Sequence, residues 1–171
     1  DYTRSADTAE SLLQRLGIAD PTASAFLRAD ADVRHHLLGR VGRLVSAEAT
    51  NDHQLQSLTA RWTTDESGNF QRLVVERNAQ GAFASRIETA PLTINSHLAG
   101  GVIRSSLFAA TDAALIPDNV AVQMADILGG DIDFRRSLRK GDRFSVVYES
   151  LEADGEPLRA GRVLSVEFHN N

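Results

Sequence analysis

The sequence predicts an α+β fold in two domains: a small strand–helix–helix–strand unit over residues 1–50, then an antiparallel, barrel-like domain with two helices over residues 52–171. Three observations carry this prediction. Apolar residues recur at helical spacing before residue 40, alternate with polar residues between 54 and 89, and return to helical spacing after 105. The last strand pattern, at 161–168, has no following partner, so we expect the second domain to be incomplete at its C-terminal end.

Composition narrows the class of protein. The net charge of −5 argues against general nucleic-acid binding, and the absence of cysteine excludes disulfides, Cys-type zinc sites and thiol catalysis. No apolar run approaches the roughly 20 residues that a membrane-spanning helix needs. The chain begins at Asp1, and its one methionine is Met124. We therefore expect a start codon and a signal or anchor upstream, in a longer parent protein.

The first 50 residues contain helix signals between two short strands. Residues 7–17 predict a helix that Asp7 or Thr8 caps and that Gly17 ends. A second helix begins at Pro21, and Asp32 is expected to cap a third helical turn. The run 43–47 predicts a strand, with residues 2–4 as its partner.

An antiparallel meander is predicted next, with strands over 54–62, 70–77 and 82–89. Turn residues at 67–69 and 78–81 separate these strands.

Glycine pairs and caps organise the rest of the chain. Gly100-Gly101 is interpreted as a break before a helix that starts at Ser105 or Ser106, and Pro117 opens the next helix. Strands over 143–150 and 161–168 predict a hairpin around Asp154-Gly155.

Two segments carry a family resemblance. Residues 101–110 read Gly-Val-Ile-Arg-Ser-Ser-Leu-Phe-Ala-Ala, and residues 131–149 read Asp-Ile-Asp-Phe-Arg-Arg-Ser-Leu-Arg-Lys-Gly-Asp-Arg-Phe-Ser-Val-Val-Tyr-Glu. Together with Gly155 and residues 161–164, they resemble the non-catalytic region before the zinc domain of LytM-type, lysostaphin-like metalloendopeptidases of Gram-negative bacteria. Residues 1–50 resemble the LysM-like domain of that family, and residues 52–171 resemble its middle domain.

The resemblance implies a periplasmic or cell-envelope protein that remodels the cell wall. This chain would be the autoinhibitory or targeting region of a peptidoglycan-crosslink metalloendopeptidase. The implied partners are the parent protein's own catalytic domain, peptidoglycan and an activating adaptor protein, with no nucleic acid. In the family, the LysM-like domain can lie over the zinc groove and hold the enzyme closed.

The family's catalytic residues are missing from this chain. The zinc domain uses a His-x-x-x-Asp motif and a His-x-His motif, and none of the five histidines here belongs to either. The sequence thus predicts no catalytic residue, metal ligand or cofactor in this chain, with Zn expected in a catalytic domain after residue 171. The chain alone is predicted to be non-catalytic, and the parent protein a zinc hydrolase.

Two candidate binding sites remain. Asp7 and Thr8 stand where LysM-like domains commonly have Asp-Thr, which implies carbohydrate binding, although both are helix-capping residues first. A basic segment can contact anionic cell-wall polymer, lipid headgroups or an acidic partner; it comprises Arg135, Arg136, Arg139, Lys140 and Arg143. Its alternative is a solvated face balanced by Asp131, Asp133 and Asp142.

The other candidate groups, namely a carboxylate pair, a histidine pair and three aromatic residues, are better explained by structural roles. Asp131 and Asp133 have the residue type for acid/base work, but Asp133 stands where a helix cap is needed. Adjacent His35 and His36 point about 100° apart on a helix and cannot easily share a metal. Aromatic residues in predicted strands favour the core over a sugar platform; these are Trp62, Phe70 and Phe83.

Two other functions stay open from the sequence. One is a stand-alone peptidoglycan-binding or adaptor module. The other is an enzyme complete within 171 residues.

Overall fold

The computed structural model describes residues 1–64, 67–130 and 138–170 and shows an α+β fold with two antiparallel sheets. The predicted fold class is confirmed at this level. The chain divides into two compact units, Asp1–Leu92 and Thr93–Asn171. Each unit has its own sheet and its own hydrophobic core.

Three short helices begin the first unit: α1 (Ala9–Arg15), α2 (Pro21–Ala29) and α3 (Ala31–His36). Each is capped by a side-chain oxygen that accepts a backbone N–H of the first turn; the caps are Thr8, Asp20 and Asp30. The expectation that Asp32 caps the third helix is wrong. Asp30 performs this role because its carboxylate accepts the Val33 N–H at 3.1 Å.

A four-stranded sheet follows in the order β1-β2-β3-β4. Its strands are β1 (Leu44–Ala49), β2 (Leu55–Trp62), β3 (Asn69–Arg77) and β4 (Phe83–Pro91). The predicted meander is therefore present, joined by β1 at one edge. Residues 1–3 also run beside β1, where Tyr2 bridges Leu44 and the Thr3 N–H donates to the Arg43 carbonyl at 2.9 Å.

One core holds the first unit together. Buried residues from all three helices and from β1 to β3 form a continuous cluster, which includes Leu12, Leu13, Leu27, Val33, Val45, Leu58, Trp62 and Leu73. The first compact unit therefore extends to Leu92, because the pairing of β1 with β2 joins residues on both sides of position 51 in one sheet. The predicted domains over residues 1–50 and 52–171 stay a prediction.

Along the chain, the second unit consists of one strand, then two helices, then a β-hairpin. Its elements are β5 (Thr93–Val102), α4 (Leu107–Ala113), α5 (Asp118–Gly129), β6 (Arg143–Ala153) and β7 (Glu156–His169). The described strands form a three-stranded sheet in the order β5-β6-β7, and barrel-like closure stays a prediction. Side chains of α4, α5 and the central strand form the core, including Leu107, Val120, Met124, Phe144, Val146 and Tyr148.

Two glycine-containing segments of this unit test predictions from the sequence. The hairpin around Asp154-Gly155 is confirmed, with φ of 52° and 83° at the two positions. The interpretation of Gly100-Gly101 as a break is wrong, because both residues lie inside β5 and pair with Ser145 and Phe144. Glycine is needed there for close approach, since a Cβ on Gly100 would lie 2.8 Å from the Phe144 carbonyl oxygen.

No helix within the described ranges has the length and hydrophobicity needed to span a membrane.

Candidate functional site

Thr8 belongs to a reciprocal cap at the start of α1. Its Oγ1 accepts the Ser11 N–H at 3.1 Å, and the Ser11 Oγ accepts the Thr8 N–H at 2.9 Å. This capping box satisfies donors that the first helical turn would otherwise leave unpaired. The hydroxyl of Thr8 is therefore already engaged in holding the helix start.

Asp7 is engaged even more fully. Its carboxylate accepts the Arg4 N–H at 2.7 Å and pairs with both terminal nitrogens of the Arg15 guanidinium, with Nη2 3.0 Å from Oδ2. The Asp7 side chain is 5% exposed, and the Arg15 guanidinium holds the pKa of its carboxyl below the ordinary value. A carbohydrate role for Asp7 and Thr8 stays a prediction, and a glycan would have to reach lone pairs beside an existing ion pair.

The basic segment is described in part. Arg139, Lys140 and Arg143 are exposed and surround a tight turn at the start of β6. Arg135 and Arg136 lie outside the described residues, as do Asp131 and Asp133, so the expected cap at Asp133 lies there too. Together, Arg139, Lys140 and Arg143 form the basic turn.

A buried carboxylate fixes the basic turn. Asp142 is 1% exposed; its Oδ2 accepts the Arg139 N–H at 2.9 Å, and its own N–H donates to the Arg139 carbonyl at 3.1 Å. Ile103, the residue directly after β5, also holds this turn, because its N–H donates to the Asp142 carbonyl at 2.7 Å. Gly141, with φ of 98°, supplies the left-handed conformation. The backbone of the turn is therefore held while its three cations face solvent.

Three histidines each contact a different neighbouring side chain. His36 stacks on Trp62 with ring centroids 5.6 Å apart. His97 packs against Tyr148 with ring centroids 5.4 Å apart. The Nε2 atom of His169 lies 3.5 Å from the Glu167 carboxylate. Across residues 1–64, 67–130 and 138–170, no group of three or more His, Asp or Glu side chains could hold a metal ion.

The strand aromatics contribute to the first unit's interior. Trp62 and Phe70 are buried, and Phe83 packs against Phe26 with centroids 5.6 Å apart. An arginine lies over each of these three rings, with the Arg43 Cζ 4.8 Å from the Trp62 centroid. This placement favours the core interpretation.

A cleft of about 470 Å³ between α1 and α2 was missed by the sequence analysis. Its lining comprises Glu10, Leu13, Ile18, Ala19, Asp20, Pro21, Ser24 and Arg28. The sequence contained one signal for this cleft, because the spacing of residues 21, 24 and 28 puts them on one face of α2. The pattern alone cannot show that α1 leaves this face uncovered.

No family model matches the sequence. The peptidoglycan DD-endopeptidase ShyC of Vibrio cholerae is 24% identical over 169 residues, which cover 96% of this chain and 37% of that protein. The chain thus spans about a third of the length of this curated relative. The similarity supports the expected resemblance in its coarser form, to a region of a cell-wall endopeptidase.

Solved structures also match. Csd3 of Helicobacter pylori superposes with a TM-score of 0.52 at 11% identity, over 98% of this chain and 45% of that one. A zinc-containing peptidase from Vibrio cholerae gives a TM-score of 0.46 at 17% identity, over 99% of this chain and 50% of that one. The likeness to Csd3 is one of fold.

Proposed function

We propose that this chain is a non-catalytic, autoinhibitory and targeting region of a peptidoglycan-crosslink metalloendopeptidase that remodels the cell wall. The observation that carries the proposal is the similarity to a peptidoglycan DD-endopeptidase over 96% of the chain, which includes both compact units. The parent protein would act in the periplasm or cell envelope of a Gram-negative bacterium.

Two segments of the chain would have different roles. Residues 1–50 would be the LysM-like part, and residues 52–171 the middle domain that supports the catalytic domain. Regulation would be a two-state arrangement in which the LysM-like part covers the catalytic groove until an adaptor protein or the cell wall favours the open state. Because β1 pairs with β2, any movement of residues 1–50 would carry the whole of Asp1–Leu92 with it.

Zinc chemistry is assigned to the parent protein's catalytic domain and not to this chain. The described residues supply helix caps, ion pairs and an exposed basic turn, which are groups suited to binding and support. We therefore expect this chain alone to release no peptides from purified peptidoglycan.

The test is the reading frame beyond the codon for Asn171. We expect it to encode a His-x-x-x-Asp motif followed by a His-x-His motif. A reading frame that stops within a few codons would rule out the proposed function.

A stand-alone peptidoglycan-binding or adaptor module is the second candidate. The exposed basic turn favours it, because clustered cations attract an anionic polymer without any catalytic domain. Sedimentation of this chain with purified peptidoglycan tests it directly. Absence from the pellet would remove the second candidate and leave the first in place.

A further inference from the structure

The cleft between α1 and α2 has two facing walls. Glu10 and Leu13 lie three residues apart on α1, and Pro21, Ser24 and Arg28 lie on one stripe of α2. The loop between the helices forms one end of the cleft. Its volume of about 470 Å³ falls in the range of roughly 300–1,000 Å³ that small-molecule sites occupy.

The floor of this cleft is apolar. Ala19 and Pro21 are exposed apolar residues of its lining, which also includes the almost fully buried Leu13 and Ile18. Asp20 also lines it, but its carboxylate is engaged by the Ala23 N–H, the Leu55 N–H and Arg77. The floor therefore favours a hydrocarbon group over a polar one.

A pair of opposite charges spans the two walls. The Arg28 guanidinium on α2 donates to the Glu10 carboxylate on α1, and their side chains are 59% and 48% exposed. An exposed pair of this kind contributes little to stability, so a ligand can exchange with it at small cost. A ligand with one charge would leave either Glu10 or Arg28 without a partner. A ligand with an ammonium and a carboxylate on one carbon supplies a partner for each.

We propose that the α1–α2 cleft binds an aliphatic α-amino acid group as a zwitterion. The ligand's ammonium pairs with Glu10, its carboxylate pairs with Arg28, and its alkyl chain lies on Ala19 and Pro21. This site is separate from the Asp7-Thr8 pair, whose polar groups are engaged by Ser11, Arg4 and Arg15. The inference goes beyond the proposed function and does not depend on it.

Titration of the ¹⁵N-labelled 171-residue chain with norleucine, followed by amide chemical shifts, tests the proposal. We expect saturable shifts at Leu13, Ile18 and Ser24 with a Kd on the order of 1–10 mM, as suits so small a ligand. Hexanoate is norleucine without its ammonium and pentylamine is norleucine without its carboxylate, so each keeps the hydrocarbon chain and one charge. We expect each to bind at least about 5-fold more weakly than norleucine.

Two variants and a matched control complete the experiment. Glu10→Gln and Arg28→Gln are each expected to weaken norleucine binding by about 10-fold. Glu76→Gln removes an equally exposed ion pair, with Arg86 on the neighbouring strand, and should leave the Kd unchanged. Retained dispersion of the amide spectrum shows that each variant is folded.

Four results would each overturn the proposal. They are no saturable shift up to about 50 mM norleucine, shifts that map outside the cleft, single-charge probes that bind as tightly as norleucine, and unchanged binding in both cleft variants.

Discussion

The Asp20 carboxylate lies 2.9 Å from Nη2 of Arg77 and joins the start of α2 to the end of β3. The same carboxylate accepts the Ala23 N–H at 3.1 Å and the Leu55 N–H at 3.2 Å. The Arg77 Nε in turn donates to the Leu55 carbonyl at 3.3 Å. The Asp20 side chain is 4% exposed and that of Arg77 is 23% exposed. One largely buried carboxylate therefore serves both as the cap of α2 and as the acceptor of this ion pair.

Removing this carboxylate should destabilise the first unit strongly. We expect Asp20→Ala to lower the free energy of unfolding by about 3–5 kcal/mol, because it removes the acceptor of the Arg77 Nη2 group and of two buried backbone N–H groups. Urea unfolding followed by Trp62 fluorescence measures this, since Trp62 is the one tryptophan and lies in the first unit.

The control for this change is Asp52→Ala, at an exposed turn residue. It should alter stability by no more than about 0.5 kcal/mol. Equal losses in the two variants would show that the Asp20 network does not hold the helices to the sheet.

The ion pair of Asp7 with Arg15 should make stability depend on acid pH. Arg15 holds the pKa of Asp7 below its ordinary value of 3.8 in the folded state. A depressed folded pKa contributes stability that is present above the unfolded pKa and is lost as pH falls through the folded pKa. We expect Asp7→Asn to be less stable than the parent chain by about 1–3 kcal/mol at pH 7.

That difference should shrink as pH falls below 3.8, because Asp7 of the unfolded chain is protonated there, and it should be lost once the folded carboxyl is protonated at lower pH. Urea unfolding between pH 7 and about pH 2 measures it, with Asp52→Asn as the control. A difference that stays constant across this range would contradict the assigned pKa shift.

Gly100 in β5 and Gly130 at the end of α5 differ in what a side chain would meet. A Cβ on Gly100 would lie 2.8 Å from the Phe144 carbonyl oxygen, whereas one on Gly130 would lie 3.9 Å from the Ile127 carbonyl oxygen. We expect Gly100→Ala to lower stability by about 1–3 kcal/mol through overpacking against backbone. Calorimetry should show a fall in Tm of roughly 5–15 °C for the second unit.

Gly130→Ala is the matched control, and its Tm should stay within about 2 °C of the parent chain. Similar Tm values for the two variants would mean that the β5–β6 approach tolerates a methyl group.

The basic turn should carry any charge-dependent retention on cell-wall polymer. We expect the triple variant Arg139→Ala, Lys140→Ala and Arg143→Ala to sediment with peptidoglycan at least about 5-fold less at low salt. The variant should also lose most of the salt dependence.

The control removes the same charge elsewhere, with Arg4→Ala, Arg34→Ala and Arg104→Ala at exposed positions. Its retention should stay within about 2-fold of the parent chain. If both triple variants bind equally, net charge and not the basic turn governs retention.

Local chemistry explains which elements could be predicted. The Asp154-Gly155 hairpin follows from turn residues that tolerate positive φ, and the α1 cap follows from polar residues directly before an apolar stripe. Asp30 and Asp32 are two residues apart and chemically identical, so the sequence cannot choose the cap of α3. The structure selects Asp30 by placing its carboxylate on the Val33 N–H.

Long-range pairing explains what the sequence could not reveal. A Gly-Gly pair is typical of a break between elements. Only the position of Phe144 on the neighbouring strand shows that the close approach of the two strands requires glycine here. Asp20 and Arg77 are 57 residues apart, so no local pattern joins them. The candidate site is similar: the exposed cations of the basic turn were predicted, but the buried Asp142 that fixes their backbone was not.

The most direct test of the proposed function compares three samples on purified crosslinked peptidoglycan. These are this chain, the full-length parent protein, and the parent protein without Asp1–Leu92, the unit that shares one core. The measured quantity is the initial rate at which crosslinked peptides are released. We predict no release by this chain, slow release by the parent protein, and a rate about 5- to 150-fold higher without Asp1–Leu92, as expected for removal of an inhibitory domain. Release by this chain alone, or an unchanged rate after the deletion, would contradict the account.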